Sequence, residues 1–148
     1  MGVGGELNLG QLVRERHGAA AALVGFSTHR GTVTAASDWD EPAQTQQIRP
    51  GLAGSYEALF HAVGRARFRL VLRGSDELAG ALAPPRLQRA IGVIYRPETE
   101  RQSHYFQTRL PRQFDAMIHL DATLALEPLE RGTTDAGADA PETDPIGV

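Results

Sequence analysis

Apolar positions recur along this chain in three rhythms, and each predicts a kind of element. Leu9, Leu12 and Val13 fall at i, i+3 and i+4, the stripe of an amphipathic helix over residues 9–17. Asn8 precedes it as a cap, Gln11 gives a capping-box-like pattern, and Gly18 is a natural stop. Leu59, Phe60 and Val63 repeat the stripe over 55–63, with Ser55 as cap, Glu57 near the positive helix end and Gly64 as terminator. Residues 68–72 alternate and predict a strand, and Ser75-Asp76-Glu77 opens a short helix that must stop before Pro84-Pro85. The third rhythm is the short, near-continuous apolar run of a strand buried on both faces. Ala22-Leu23-Val24-Gly25-Phe26 and Ala90-Ile91-Gly92-Val93-Ile94-Tyr95 have it. β-Branched residues favour another strand over 31–36, joined to the first by a hairpin or by a kink at Gly31. Residues 115–120 read as the last strand.

The segments between are polar. Residues 37–53 carry Pro42, Pro50 and three acidic residues and read as a long loop. Residues 98–103 read as a second loop, and the mixed pattern of 104–110 fits a short helix or an irregular segment. From Arg131 onward large apolar residues all but vanish, which predicts a disordered acidic tail over 131–148. The element order is then α-β-β-α-β-α-β-β. Helices alternate with strands, so the expected fold class is α/β with a mostly buried sheet, in one domain over 1–130.

Composition narrows the function. The apolar share of 41 % over 148 residues suffices for a core. The net charge is −3, and all 15 basic residues are Arg. With a pI near 5.9 there is no basic stripe for nucleic acid. No cysteine is present, which excludes disulfides, thiolate metal sites and thiol catalysis. No apolar run approaches the roughly 20 residues needed to span a bilayer. The N-terminal residues lack the pattern of a signal peptide, so the expected location is the cytoplasm. No G-x-S-x-G, H-E-x-x-H, Walker A or G-x-G-x-x-G pattern occurs, and no cofactor or metal is expected.

Five phrases in order carry a family resemblance. They are GELNLGQLVRERHG at 5–18, LVGFSTHRGTVTAASDW at 23–39, GSYEALFHAVG at 54–64, RAIGVIYRPETERQSHYF at 89–106 and LPRQFDAMIHLDAT at 110–123. Together they resemble the C-terminal part of the erythromycin esterase family. The resemblance implies a hydrolase lineage that opens macrolide lactones, hence antibiotic resistance, by water attack on an ester with histidine as general base. It also implies that catalysis rests on an early Gly-Glu stretch with a nearby His and on a Trp-Ala-His-Asn stretch. Neither is here. The only Trp is Trp39, followed by Asp40, and the only Gly-Glu pair, Gly5-Glu6, has no His until His17. In full-length relatives the histidine-rich stretch ends just before the segment matching GELNLGQL. The expectation is an incomplete layered domain, inactive alone, with no catalytic residue to assign.

Five residues remain as candidates for lining a substrate cleft. His29 and Arg30 stand at the end of a predicted strand, where ligand sites of open α/β sheets gather; the plainer reading is a polar turn. Arg96, His104 and Tyr105 follow the 90–95 run and could orient a polar ester; the plainer reading is a loop anchored by its aromatic residues. His17, His61 and His119 read as structural. Three functions compete. The chain is a piece of an ester hydrolase that binds its small-molecule substrate when the missing half completes it. Or it is a non-catalytic module that binds a ligand, itself or a complementing chain. Or it is a gene remnant or a mis-assigned start.

Overall fold

A computed structural model describes residues 9–127; the predicted tail and the Asn8 cap lie outside them. Helix α1 spans Leu9–His17, and a 3-10 turn at Gly18–Ala20 leads into β1, Val24–Ala35. There follow β2 (Gln44–Ile48), α2 (Tyr56–His61), β3 (Arg67–Val71), α3 (Asp76–Ala81) and β4 (Arg86–Arg89). The rest is a 3-10 turn at Pro97–Thr99, α4 (Glu100–Ser103), β5 (Tyr105–Thr108), α5 (Leu110–Gln113) and β6 (Ala116–Thr123). Ser55 and Ser75 cap α2 and α3 as expected, accepting from the N–H groups of Ala58 and Leu78. Among the described residues no helix is long and apolar enough to cross a membrane.

The main sheet runs β2-β1-β6-β3. β1 and β6 are parallel; β2 and β3 pair antiparallel at the edges. β4 and β5 form a separate antiparallel pair. The class is α/β, with a mixed sheet.

Four local readings change. The two strands expected at 22–26 and 31–36 are one strand, kinked at Gly31 rather than folded into a hairpin. Gly31 has φ 127°, and a Cβ there would lie 2.0 Å from the Thr123 carbonyl oxygen. Only glycine permits this approach of β1 to β6. The loop expected at 37–53 contains β2, whose poor strand formers are held by pairing with the second half of β1. The apolar run 90–95 forms no strand. It makes one isolated bridge, Ile94 to Ala36 just past the end of β1, while Tyr95 and Ile91 fill a small core with Ala35, Ile48 and Val33. Its apolar character serves side-chain packing, not a ladder. Residues 86–89 and 105–108 supply the missing pairing, and 100–103 form a helical turn instead of a loop.

The larger core lies on one face of the sheet. Tyr56 and Phe60 of α2 pack there with Leu72, Leu82, Leu110 and Met117. The Tyr56 hydroxyl donates to Leu82 O and accepts from the Leu110 N–H, so one buried group ties α2 to α3 and α5. Among the described residues the opposite face is largely uncovered. There Val24, Phe26 and Thr28 of β1 align with Ala116, Ile118 and Leu120 of β6, and Leu120, Ile118 and Ala116 with Arg67, Arg69 and Val71 of β3. Phe26 is 67 % exposed, and Val24 and Val71 about half. The sheet is thus buried on one side only. The apolar stripe of α1 is open as well, with Leu9 78 % exposed.

Candidate functional site

Two polar clusters lie on the covered side. The first forms where β1, β6 and the end of α2 meet. Parallel register sets His119 beside Ser27, whose hydroxyl lies 2.9 Å from His119 Nδ1. Two residues on along each strand stand His29 and Asp121. α2 delivers His61, whose ring stacks on that of His29 with centroids 3.9 Å apart and planes 5° from parallel. His61 Nδ1 hydrogen-bonds Asp121 Oδ1, Arg30 reaches the other carboxylate oxygen at 3.6 Å, and His119 Nε2 lies 3.9 Å from Oδ1.

The electrostatics follow from crowding. Burial, and then the neighbouring His61, push His29 below the ordinary imidazole range; Asp121 pulls weakly the other way. Burial lowers His119 too. The hydrogen bond from His61 holds Asp121 below the usual carboxylate range. The cluster therefore sets one carboxylate held below its usual range against two imidazoles, His29 and His119, pushed below theirs. Such a group can orient a ring and pass a proton. Among the described residues, no set of three or more His, Asp or Glu is placed to hold a metal ion.

The second cluster is built round Arg89 at the end of β4. Its guanidinium pairs with Glu100 at 3.0 Å, and both side chains are buried. It also donates to the carbonyls of Arg49, Thr28 and His29, and it sits 5.9 Å from the Tyr105 ring centroid. Tyr95 donates to the same Glu100 oxygen. A buried charge so fully served is stable, and removing either partner would strand the other. Glu57, the second residue of α2, accepts from the Arg89 N–H at 3.1 Å. Gly51 lets the preceding loop pass close, because a Cβ there would fall 2.6 Å from Glu57 Cβ.

The five sequence candidates divide between these places. His29 and Arg30 belong to the imidazole cluster. His104 is buried and accepts the Arg96 N–H at Nε2, while the Arg96 side chain donates to Ser37 O and pairs with Asp38. The Tyr105 hydroxyl accepts from the Leu52 N–H. Arg96, His104 and Tyr105 thus hold the 37–53 segment in place, and Arg89 and the Gly51 N–H connect this region to the His29 carbonyl. His61 and His119, read as structural, stand in the imidazole cluster. Asp121, Glu57, Arg89 and Glu100 carried no sequence signal as site residues, although Glu57 and Glu100 are charged residues that folding buries.

Two crystal structures share this fold. One, a succinoglycan biosynthesis protein, superposes with a TM-score of 0.67 at 25 % identity, over 80 % of this chain and 28 % of its own. The other, a protein from Bacillus cereus, gives 0.65 at 17 % identity, over 77 % of this chain and 28 % of its own, and supports the fold alone. The chain therefore spans about 28 % of the length of these structures. The sequence model of the erythromycin esterase family matches residues 1–123, most of the chain. The chain belongs to the erythromycin esterase family.

Proposed function

We propose that this chain is one structural part of an ester hydrolase, without catalytic power alone, and that its bare sheet face seats the rest of the family fold. That face is the observation that carries the reading. Phe26, Val24 and Val71 stand exposed on it, beside half-buried Ile118 and Leu120. Burying one such side chain is worth about 1.5–3 kcal/mol, a gain the described residues leave unclaimed. Arg67 and Arg69 stand on the same face, so the covering surface has an apolar centre and an acidic rim. The succinoglycan biosynthesis protein that shares this fold extends well beyond the matched part, which is 28 % of its length, and so has the material for such a layer. The substrate class is a small-molecule ester, with macrolide lactones the first to assay.

The test has two stages. The purified chain is assayed on p-nitrophenyl acetate and on erythromycin, where no cleavage above buffer is expected. It is then mixed with the complementary segment of a full-length family member. Co-elution as a stoichiometric complex that cleaves esters supports the reading. Cleavage by the chain alone, lost on changing His29 or His104, would overturn it. A complex that binds esters but never cleaves them would make the chain a non-catalytic binding module instead.

A further inference from the structure

β3 is an outer strand of the main sheet, and its pairing shows which backbone groups it leaves over. Ala66 O accepts from the Asp121 N–H, and the Leu72 N–H donates to Asp115 O. In an antiparallel pair, successive residues alternate between bonding the partner strand and facing away from it. Arg67, Arg69 and Val71 therefore aim their N–H and C=O groups outward, and among the described residues no strand lies beyond them. Such a row is a template for another extended chain.

A groove of about 600 Å³ follows the same edge. Its apolar lining comes from Leu59 of α2, Phe68 and Leu70 of β3 and Leu78 of α3, and it includes Val63, which is 57 % exposed. Four arginines, Arg65, Arg67, Arg69 and Arg86, line it as well. Phe68 and Leu70 stand on the helix-covered side of β3, and Arg67 and Arg69 on the other, so the groove reaches both sides of the strand. Among the described residues no carboxylate pairs with any of the four arginines; Asp38, Glu100, Asp115 and Asp121 have other partners. A chain of net charge −3 thus gathers four unmatched cations around one apolar groove.

These features together select an occupant. The outward amides call for an extended backbone, and a lipid or a small anion would leave them unused. A strand laid against β3 alternates its side chains as β3 does. Those on the helix side would enter the groove against Phe68 and Leu70. Those on the other side would stand beside Arg67 and Arg69, where acidic residues are favoured. Residues 131–148 of the chain itself supply acids but only two sizeable apolar side chains, Ile146 and Val148, so they match the charge of the edge and not its groove.

We propose that the β3 edge is a docking site for an extended segment of a separate protein, in which acidic and apolar residues alternate and which joins the main sheet as a further strand. In strand addition, backbone hydrogen bonds give affinity and alternate side chains give selectivity. The proposal is independent of the hydrolase reading, which concerns the sheet face around Phe26 and not this edge.

A short fluorescent peptide of alternating glutamate and valine is titrated into the full chain and followed by anisotropy. Saturable binding is expected. It should be at least about tenfold weaker when lysine replaces glutamate, and when the same residues are arranged in two blocks. In the 15N-labelled chain, bound peptide should slow hydrogen exchange at the Arg67, Arg69 and Val71 amides by at least about tenfold. Val71→Pro deletes one outward N–H, changes no charge and spares the bonds to β6, because proline is tolerated where the N–H faces away from the ladder. It should weaken the peptide by at least about fivefold, and Arg67→Glu with Arg69→Glu by at least about tenfold. Phe26→Glu, on the sheet face, should leave the affinity within about twofold. The peptide controls decide the matter if a variant fails to fold. Equal binding of the lysine or block peptide, or unslowed exchange at the three amides, would overturn the proposal. So would an absence of saturable peptide binding; capture by phosphatidylglycerol vesicles in that case would give the groove to anionic lipid instead.

Discussion

A histidine pressed face to face on another can accept a proton only against its neighbour. His29 and His119 both titrate below their ordinary value in the folded chain. The unfolded chain therefore takes up protons first as pH falls, and stability drains away from near pH 6.5 downward. Burial, His61 and Arg89 disfavour protonation of His29, while Asp121 and a hydrogen bond at the Glu57 backbone favour it. Glu57 works against this trend, because burial raises its carboxyl and protonation then favours the fold. The clean measurement is consequently a difference. Between pH 7.5 and 5, His29→Gln should lose less thermal stability than the parent chain. Parallel melting curves for the two proteins would refute the account. Sequence alone marked His29 and Arg30, because both stand in one apolar-to-polar phrase. It could not mark His61 or His119, since their partners lie 60 residues away at Asp121 and 92 at Ser27. Sheet register joins Ser27 to His119, and the packing of α2 brings His61 to Asp121.

Secondary elements were legible wherever the signal was local. Helix α1, the capped helices α2 and α3, and strands β3 and β6 all stand close to where periodicity and caps put them. The signal failed where pairing overrides preference. Gln44–Ile48 is nearly all polar, yet it is a strand because β1 offers it a ladder. Residues 90–95 have strand-like apolarity, yet only Ile91 and Tyr95 among them turn into a core and Val93 stays exposed. Gly31 was read as a kink or a turn; only the distance to Thr123 decides for the kink. Gly31→Ala sets a methyl group against the Thr123 carbonyl at a backbone angle that alanine rarely adopts. The expected loss is at least about 3 kcal/mol, read from the shift of the urea midpoint. A change under about 0.5 kcal/mol would show that β1 and β6 can separate there freely.

At the scale of the whole molecule, one layer of helices covers one face of a sheet, and the class was readable because helices and strands alternate. That one face stays open was not readable, since Val24 and Phe26 spell a buried strand in any context. Phe26→Glu discriminates between a surface waiting for cover and an ordinary patch. In the chain alone it should leave stability within about 0.5 kcal/mol and reduce binding of a hydrophobic dye. With the complementary segment of the family fold, co-elution should be lost. Retained co-elution would move the docking surface elsewhere.

β3 forms one outer edge of the sheet, with its arginines at positions 67 and 69. Two copies joining edge to edge through β3 would bring four guanidinium groups together, within about one Debye length at physiological salt. Such strands resist stacking into ribbons. At this edge the molecule thus repels its own kind, while its broad apolar side remains open to something built differently.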